Sequence, residues 1–308
     1  MKNPLVIQQQ QSLSVTNIFL DKIAFTLPIS LTGIGCIVDR AEKAFQSKKF
    51  QFVRTNRKGS VYGNIILLYN DKKSLATISY GNKPNMQANG FSLEYNPAKI
   101  TTKDSKLLVN VLKYLLKDDY SLIWERANIT RMDATFDVYG CIPDHVVVFH
   151  DGSDLKGLTF DGEYGLLSQK HGSEKSNQYL VVYNKSGGGN QVSRFEIRMK
   201  VQKLACFKKE PVIGIKNAKD VLIHNPYSGL MVYSNQFVHD KRFAPGFYDC
   251  IRIRGLVGAL SHYRNHDSRL AEQYFNILNA DYTMEVFDST AIWEGAGDCV
   301  NCLDIFQD

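Results

Sequence analysis

Tyr183, Lys185, Arg194, Glu196, Arg198 and Lys200 sit close together in the runs Tyr179-Leu-Val-Val-Tyr183-Asn-Lys185, Ser186-Gly-Gly-Gly-Asn190 and Arg194-Phe-Glu196-Ile-Arg198-Met-Lys200. A phenol, a lysine, a carboxylate and arginines on one sheet face are the groups needed for nucleophilic attack on a phosphodiester. An unperturbed phenol titrates near about 10, so at neutral pH its attack on phosphorus needs a general base, a cation or both.

The element that would position them is a β-hairpin. A four-residue turn in Ser186-Gly-Gly-Gly-Asn190 sets Tyr183 opposite Arg194 and Val181 opposite Glu196, which makes Tyr183 and Glu196 diagonal neighbours on one face. Along the second strand Phe195, Ile197 and Met199 point one way, and Arg194, Glu196, Arg198 and Lys200 the other. Taken alone, that second set also reads as a solvated charge ladder.

Arg131-Met-Asp133-Ala-Thr-Phe-Asp137 adds weight, because Asp133, Thr135 and Asp137 share a strand face opposite Met132, Ala134 and Phe136. A carboxylate in mid-strand beside an apolar face must be paired or bind a cation. Asp133 therefore either forms a salt bridge with Arg131 or Arg194, or shares a divalent ion with Glu196. Hard oxygen ligands favour Mg²⁺ or Mn²⁺ over zinc. Such an ion polarises the non-bridging phosphate oxygens, and Lys185 either lowers the phenol's pKa or neutralises charge in the transition state.

The chain has 308 residues, 44% hydrophobic and 22% charged, as in an ordinary globular protein. Its net charge of +6 permits nucleic acid as a partner, with basic clusters at Lys48-Lys49, Arg57-Lys58, Lys208-Lys209, Lys241-Arg242 and Arg252/Arg254. No apolar run approaches the roughly 20 residues that span a bilayer, and no secretion signal is read at the start, so a cytoplasmic location without membrane contact is expected. The six cysteines lack a framework spacing and read as reduced thiols. Cys299-Val-Asn-Cys302 has no second pair to complete a zinc site, and His262 and His266 read as two ordinary histidines.

Strand-like runs at 18–27, 61–69, 75–80, 91–95 and 128–138 surround an amphipathic helix at 102–118, where Leu107, Leu108, Val111, Leu112, Leu115 and Leu116 recur at helical spacing. Residues 247–263, 268–278 and 290–306 read as helices. The expectation is an α+β fold with a mainly antiparallel sheet covered by helices. A catalytic domain would occupy 1–205 and a mainly helical C-terminal region 206–308.

Arg131-x-Asp133-Ala-Thr-Phe, Tyr183-x-Lys185 and Arg194-Phe-Glu196-x-Arg198-x-Lys200, with Asn96-Pro97-Ala98-Lys99-Ile100 ahead of a Leu-rich helix, resemble the gene II replication initiators of filamentous phages. They resemble more loosely the replication initiation factors of rolling-circle plasmids. The resemblance spans roughly residues 91–211 and rests on the order and spacing of four motifs. It implies a replication-initiator nuclease fold and an origin-specific, metal-dependent enzyme in the bacterial cytoplasm. That enzyme nicks plus-strand DNA, stays attached to the 5′ end through Tyr183 with Lys185 assisting, leaves a 3′ primer for host polymerase, and later rejoins the strand. Asp133 and Glu196 map onto the acidic metal positions, while the pattern does not demand an acid at Asp137. Arg131, Arg194, Arg198 and Lys200 are the expected DNA contacts, and a host helicase is a further candidate partner.

The chain lacks a His-hydrophobic-His motif, so it departs from initiators that bind metal with a histidine pair. Two rivals remain. A non-catalytic DNA-binding regulator would use the same basic clusters. A tyrosine recombinase is suggested by His266-Asp-Ser-Arg269 with Tyr274 and Tyr282 downstream.

Overall fold

The computed structural model describes residues 13–56, 60–83, 90–141, 143, 146–150, 157–162, 165–185, 191–201 and 213–307. Its strands are β1 (Ser14–Val15), β2 (Phe19–Pro28), β3 (Gln51–Arg54), β4 (Tyr62–Asn70), β5 (Lys73–Asn82), β6 (Gly90–Tyr95), β7 (Asn128–Tyr139), β8 (Val146–His150), β9 (Gly157–Gly162), β10 (Gly165–His171), β11 (Gln178–Asn184), β12 (Val192–Met199) and β13 (Leu230–Ser234). The helices are α1 (Leu31–Gln46), α2 (Thr102–Leu116), α3 (Leu122–Arg126), α4 (Phe247–His266), α5 (Ser268–Ile277) and α6 (Ser289–Glu294). The fold is α+β, built on antiparallel strands with helices at its C-terminal end, as expected. No helix among the described residues is long and apolar enough to cross a membrane.

The chain forms two compact units. The first comprises Met1–Ile18, Thr135–Arg198 and Asn225–Gly295; the second comprises Phe19–Ala134, Met199–His224 and Ala296–Asp308. The boundary expected at residues 205 and 206 lies outside the described residues.

In the second unit the strands run in the order β3-β4-β5-β6-β2-β7, antiparallel in the β2–β6, β5–β6, β4–β5 and β3–β4 pairs. Helices α1 and α2 pack on each other and on β5. The inward stripe of α2 is Leu108, Val111, Leu112, Leu115 and Leu116, all buried, which is the 3.6-residue period read from sequence. The 3₁₀ segment Ala296–Phe306 returns to this unit and sets the Phe306 ring edge-on to Phe25 (5.4 Å) and Tyr95 (5.9 Å).

The start of α2 is fixed by charge. Thr101 Oγ1 accepts from the Asp104 N–H and the Asp104 carboxylate accepts from the Thr101 N–H, which forms a reciprocal cap. Asp104 also accepts from Asn70 Nδ2 (2.8 Å) and Lys73 Nζ (2.7 Å), tying the helix to the β4–β5 turn. The hydrogen bond from Lys73, with those from the Thr101 backbone and Asn70, holds its pKa well below the usual carboxylate range.

In the first unit the order is β7-β12-β11-β10-β9, with β1 added to the end of β7 through Ser14↔Tyr139 and Val15↔Val138. A separate ribbon pairs β8 with β13. The region after residue 206 therefore holds a strand as well as helices. Leu230-Met-Val-Tyr-Ser234 is extended because β8 supplies its antiparallel partner, a long-range cause that local pattern does not display. Behind α4 and α5, Phe243 and Phe247 stack at 5.1 Å beside Tyr274 and Phe237. Helix α4 is interrupted at Gly255 (φ 69°, ψ 168°), a conformation open essentially only to glycine. The expected helix at 290–306 is divided into α6 and the 3₁₀ segment, with Gly295 between them.

Replacing Asp104 by Ala removes the cap and strands the polar groups of Asn70 and Lys73. The expected loss is about 2 kcal/mol, read as a lower urea midpoint with an unchanged slope.

Candidate active site

Strand β12 is buried on both faces, from Val192 to Ile197. Its apolar side is explained by ring packing: Phe195 stacks on Phe136 at 5.1 Å, and Tyr227 and Phe287 close on Phe136 edge-on at 4.9 and 4.7 Å. Its other side carries Arg194 and Glu196, 4% and 2% exposed. Charged groups at that depth are tolerated only when paired and hydrogen-bonded.

Two backbone bonds fix what faces what. The Lys185 N–H donates to Val192 O (3.1 Å), and the Gly140 N–H donates to Gln191 O (2.8 Å). Continued along antiparallel strands, these registers set Tyr183 across from Arg194, Val181 from Glu196 and Tyr179 from Arg198 on one flank, and Asp137 from Arg194 and Thr135 from Glu196 on the other. The hairpin register matches the one read from sequence. The turn segment at 186–190 lies outside the described residues.

The side chains on this face form a connected polar network. Asp137 accepts from Arg194 through Nε (2.7 Å) and Nη2 (3.1 Å), and from Lys185 Nζ (2.6 Å). The Tyr183 hydroxyl donates to Glu196 Oε2 at 2.8 Å. Glu196 Oε1 accepts from Arg198 Nε, and Arg198 Nη1 donates to the Tyr179 hydroxyl at 3.2 Å. The phenol thus donates to a carboxylate that an arginine also binds.

Burial alone would raise the Asp137 pKa, but the hydrogen bonds and charges of Arg194 and Lys185 outweigh it and hold the carboxyl below its ordinary value. Burial would likewise lower the Arg198 pKa, but the Glu196 charge and the bonds to Tyr179 and Glu196 push it up, so the guanidinium stays charged. Lys185, with its side chain 44% exposed, and Arg198 at 27% keep access to solvent, whereas Arg194 at 5% is committed to Asp137.

Arg131 and Asp133 lie in the second unit's part of β7 and pair with each other, Nε to Oδ1 at 2.8 Å and Nη2 to Oδ2 at 2.6 Å. That is one of the two arrangements the sequence left open for Asp133. Lys200 follows the end of β12 and is half-buried. Sequence reading missed Tyr179, whose position four residues before Tyr183 on an alternating strand was the available signal. Both tyrosines of the recombinase reading are hydrogen-bonded within the C-terminal helical part. Tyr274 is buried with its hydroxyl accepting from the Ala244 N–H (2.7 Å), and the Tyr282 hydroxyl donates to Asp240 Oδ2 (2.7 Å). Burial pushes the Cys299 and Cys302 thiols up to about 12, which disfavours the thiolate that metal binding needs.

Among the described residues no group of three or more His, Cys, Asp or Glu is placed to hold a metal ion. Within the first unit, however, Glu196 and Asp137 share their face with Thr135, whose buried Oγ1 has no hydrogen-bond partner among the described residues. These are hard oxygen donors, the class that Mg²⁺ or Mn²⁺ takes, with both carboxylates also ion-paired to Arg194, Lys185 or Arg198. No protein-family model matches the chain, and the search of curated proteins gave no match.

Asp137→Asn removes the buried carboxylate that Arg194 and Lys185 share, and a loss of about 3–5 kcal/mol at pH 7 is expected in urea unfolding. Because the folded pKa is depressed, the stability Asp137 contributes is fully present above the ordinary carboxylate pKa of about 4 and is lost as pH falls through the lower folded value. The gap between wild type and variant should therefore narrow on acidification.

Proposed function

We propose that this chain is a DNA nicking and joining enzyme of the rolling-circle initiator type, with Tyr183 as nucleophile and a replication-initiator nuclease fold. The observation that carries the reading is the 2.8 Å bond from the Tyr183 hydroxyl to Glu196 Oε2, with Lys185 two residues along the same strand face.

In the reaction Glu196 takes the phenolic proton while the Tyr183 oxygen bonds to phosphorus. The P–O3′ bond breaks, and the 3′ oxygen takes up a proton from solvent. The products are a phosphotyrosine linkage to the 5′ end and a free 3′-hydroxyl that can prime a host polymerase. Attack of that hydroxyl, or of an equivalent one, on the phosphotyrosine reverses the step and rejoins a strand. Arg198 holds Glu196 in position, with Tyr179 as its far anchor, and Asp137 holds Lys185, whose exposed ammonium meets charge on the transferring phosphate. Glu196, Asp137 and Thr135 are the groups that would hold Mg²⁺ or Mn²⁺. When bound, the ion supplies polarisation of the non-bridging oxygens. Asp133 remains a proposed ligand from the resemblance alone. On this reading the partners are origin DNA and the host polymerase and helicase, in the bacterial cytoplasm.

The test uses a randomised single-stranded DNA library labelled at its 3′ end, incubated with the protein and Mn²⁺ and then boiled in detergent. Label should remain on the protein band. Tyr183→Phe should remove it while DNA binding persists. Glu196→Gln should slow its appearance by about 10²–10⁴-fold, the range of a lost general base. Unchanged labelling in Tyr183→Phe would refute the assignment, and wild-type DNA binding with no adduct in any metal would favour the regulator reading.

A further inference from the structure

We infer that the solvent face of α2 is a docking surface for the phosphate backbone of duplex DNA. The inference concerns the second unit alone and goes beyond the reading of Tyr183.

Along α2, Lys103, Lys106, Asn110 and Lys113 recur at intervals of three and four residues, which at 3.6 residues per turn puts them within an arc of about 80°. All four are exposed, and the exposed Lys117 continues the row past the last turn. From Lys103 to Lys117 the row runs about 21 Å at the helical rise. Other elements add a cation at each end. Lys73 Nζ, from the start of β5, bonds Asp104 in the first turn, and Lys49 Nζ lies 4.2 Å from the centre of the Tyr114 ring. The one carboxylate on the helix, Asp104, is buried and already bound by the Thr101 N–H, Asn70 and Lys73. Lys103, Lys106 and Lys117 have no ion pair among the described residues.

Folding does not call for this pattern. Cations in the first turns of a helix oppose its dipole, and like charges three or four residues apart repel, so Lys103 and Lys106 work against the helix that carries them. A polyanion alongside offsets both effects. Which polyanion follows from what else the face carries. The apolar stripe of α2, Leu108 to Leu116, is turned inward and buried, so the helix has no apolar edge to sink into a lipid surface. Lysine is depleted from protein–protein interfaces, where aromatic and arginine side chains carry the affinity. Single strands are held by rings that stack on bases, but the ring beside this row, Tyr114, is half-buried, with Lys49 over it and Phe50 edge-on at 5.5 Å. The sugar–phosphate backbone of a duplex is the occupant that a row of point charges without a stacking platform fits, and contacts of that kind position DNA without reading its bases.

Fluorescence anisotropy of the full chain with a fluorescein-labelled, mixed-sequence duplex across a salt series reads this directly. Lys106→Gln should weaken binding and lower the log–log salt slope by about 0.9, the value for one phosphate contact on a duplex, and Lys103→Gln with Lys106→Gln should lower it by about 1.8. Lys216→Gln with Lys219→Gln, an equal loss of charge elsewhere in the second unit, should leave the slope at its wild-type value. A wild-type slope in the Lys103 and Lys106 double variant overturns the inference. So does an equal fall in both double variants, which would reflect net charge alone. If the first double variant does not fold, Lys106→Gln decides by itself. Binding retained on the duplex but lost on a labelled single strand or on phosphatidylserine vesicles also overturns it and identifies the other occupant. A reduced duplex slope supports the docking surface even where wild type yields no covalent adduct, a result that would remove the nicking reading alone.

Discussion

Burying a row of ionised side chains on the polar face of β12 is the constraint around which the first unit is arranged. Arg194 and Glu196 lie in the interior of a strand whose opposite face is packed with aromatic rings, so neither can turn to water. Each must be met by complementary groups from the neighbouring strands: Asp137 from β7, and Tyr183 from β11. Tyr179, Lys185 and Arg198 complete the lattice. Asp137 and Glu196 each bind groups from more than one strand, which ties the tyrosine hydroxyl to the integrity of three strands.

This arrangement separates two demands usually in conflict. A nucleophile must be accessible, while its base and the groups orienting that base gain strength from exclusion of water. Tyr183 is half-buried and Lys185 largely open, whereas Glu196 and Asp137 are almost fully enclosed. The groups proposed to react therefore sit at the surface of a desolvated support, the placement that preorganised catalysis would call for.

Much of this was legible in the residues. The alternation in Arg194 to Met199 identified the strand and its two faces, and the register read from the sequence is the one set by the Lys185–Val192 backbone bond, which brings Tyr183 to Glu196. The α2 helix was readable because its leucine stripe and Thr101/Asp104 cap agree. What escaped had one non-local cause and one local one. Strand β13 is extended through its pairing with β8, and α1 carries Gly33 and Gly35 in its first turns, which weakens its helical signature. Asp137 looked optional as a pattern position, yet it is the acid that gathers Arg194 and Lys185, a role set by register with a strand far along the chain.

The central claim is that the Tyr183 oxygen becomes bonded to DNA phosphorus. Digesting the covalent adduct with trypsin and nuclease and sequencing the modified peptide by mass spectrometry tests it most directly. A nucleotide mass on Tyr183 is the predicted result; a nucleotide on another residue, or unmodified Tyr183 in protein that has cleaved DNA, would contradict the account.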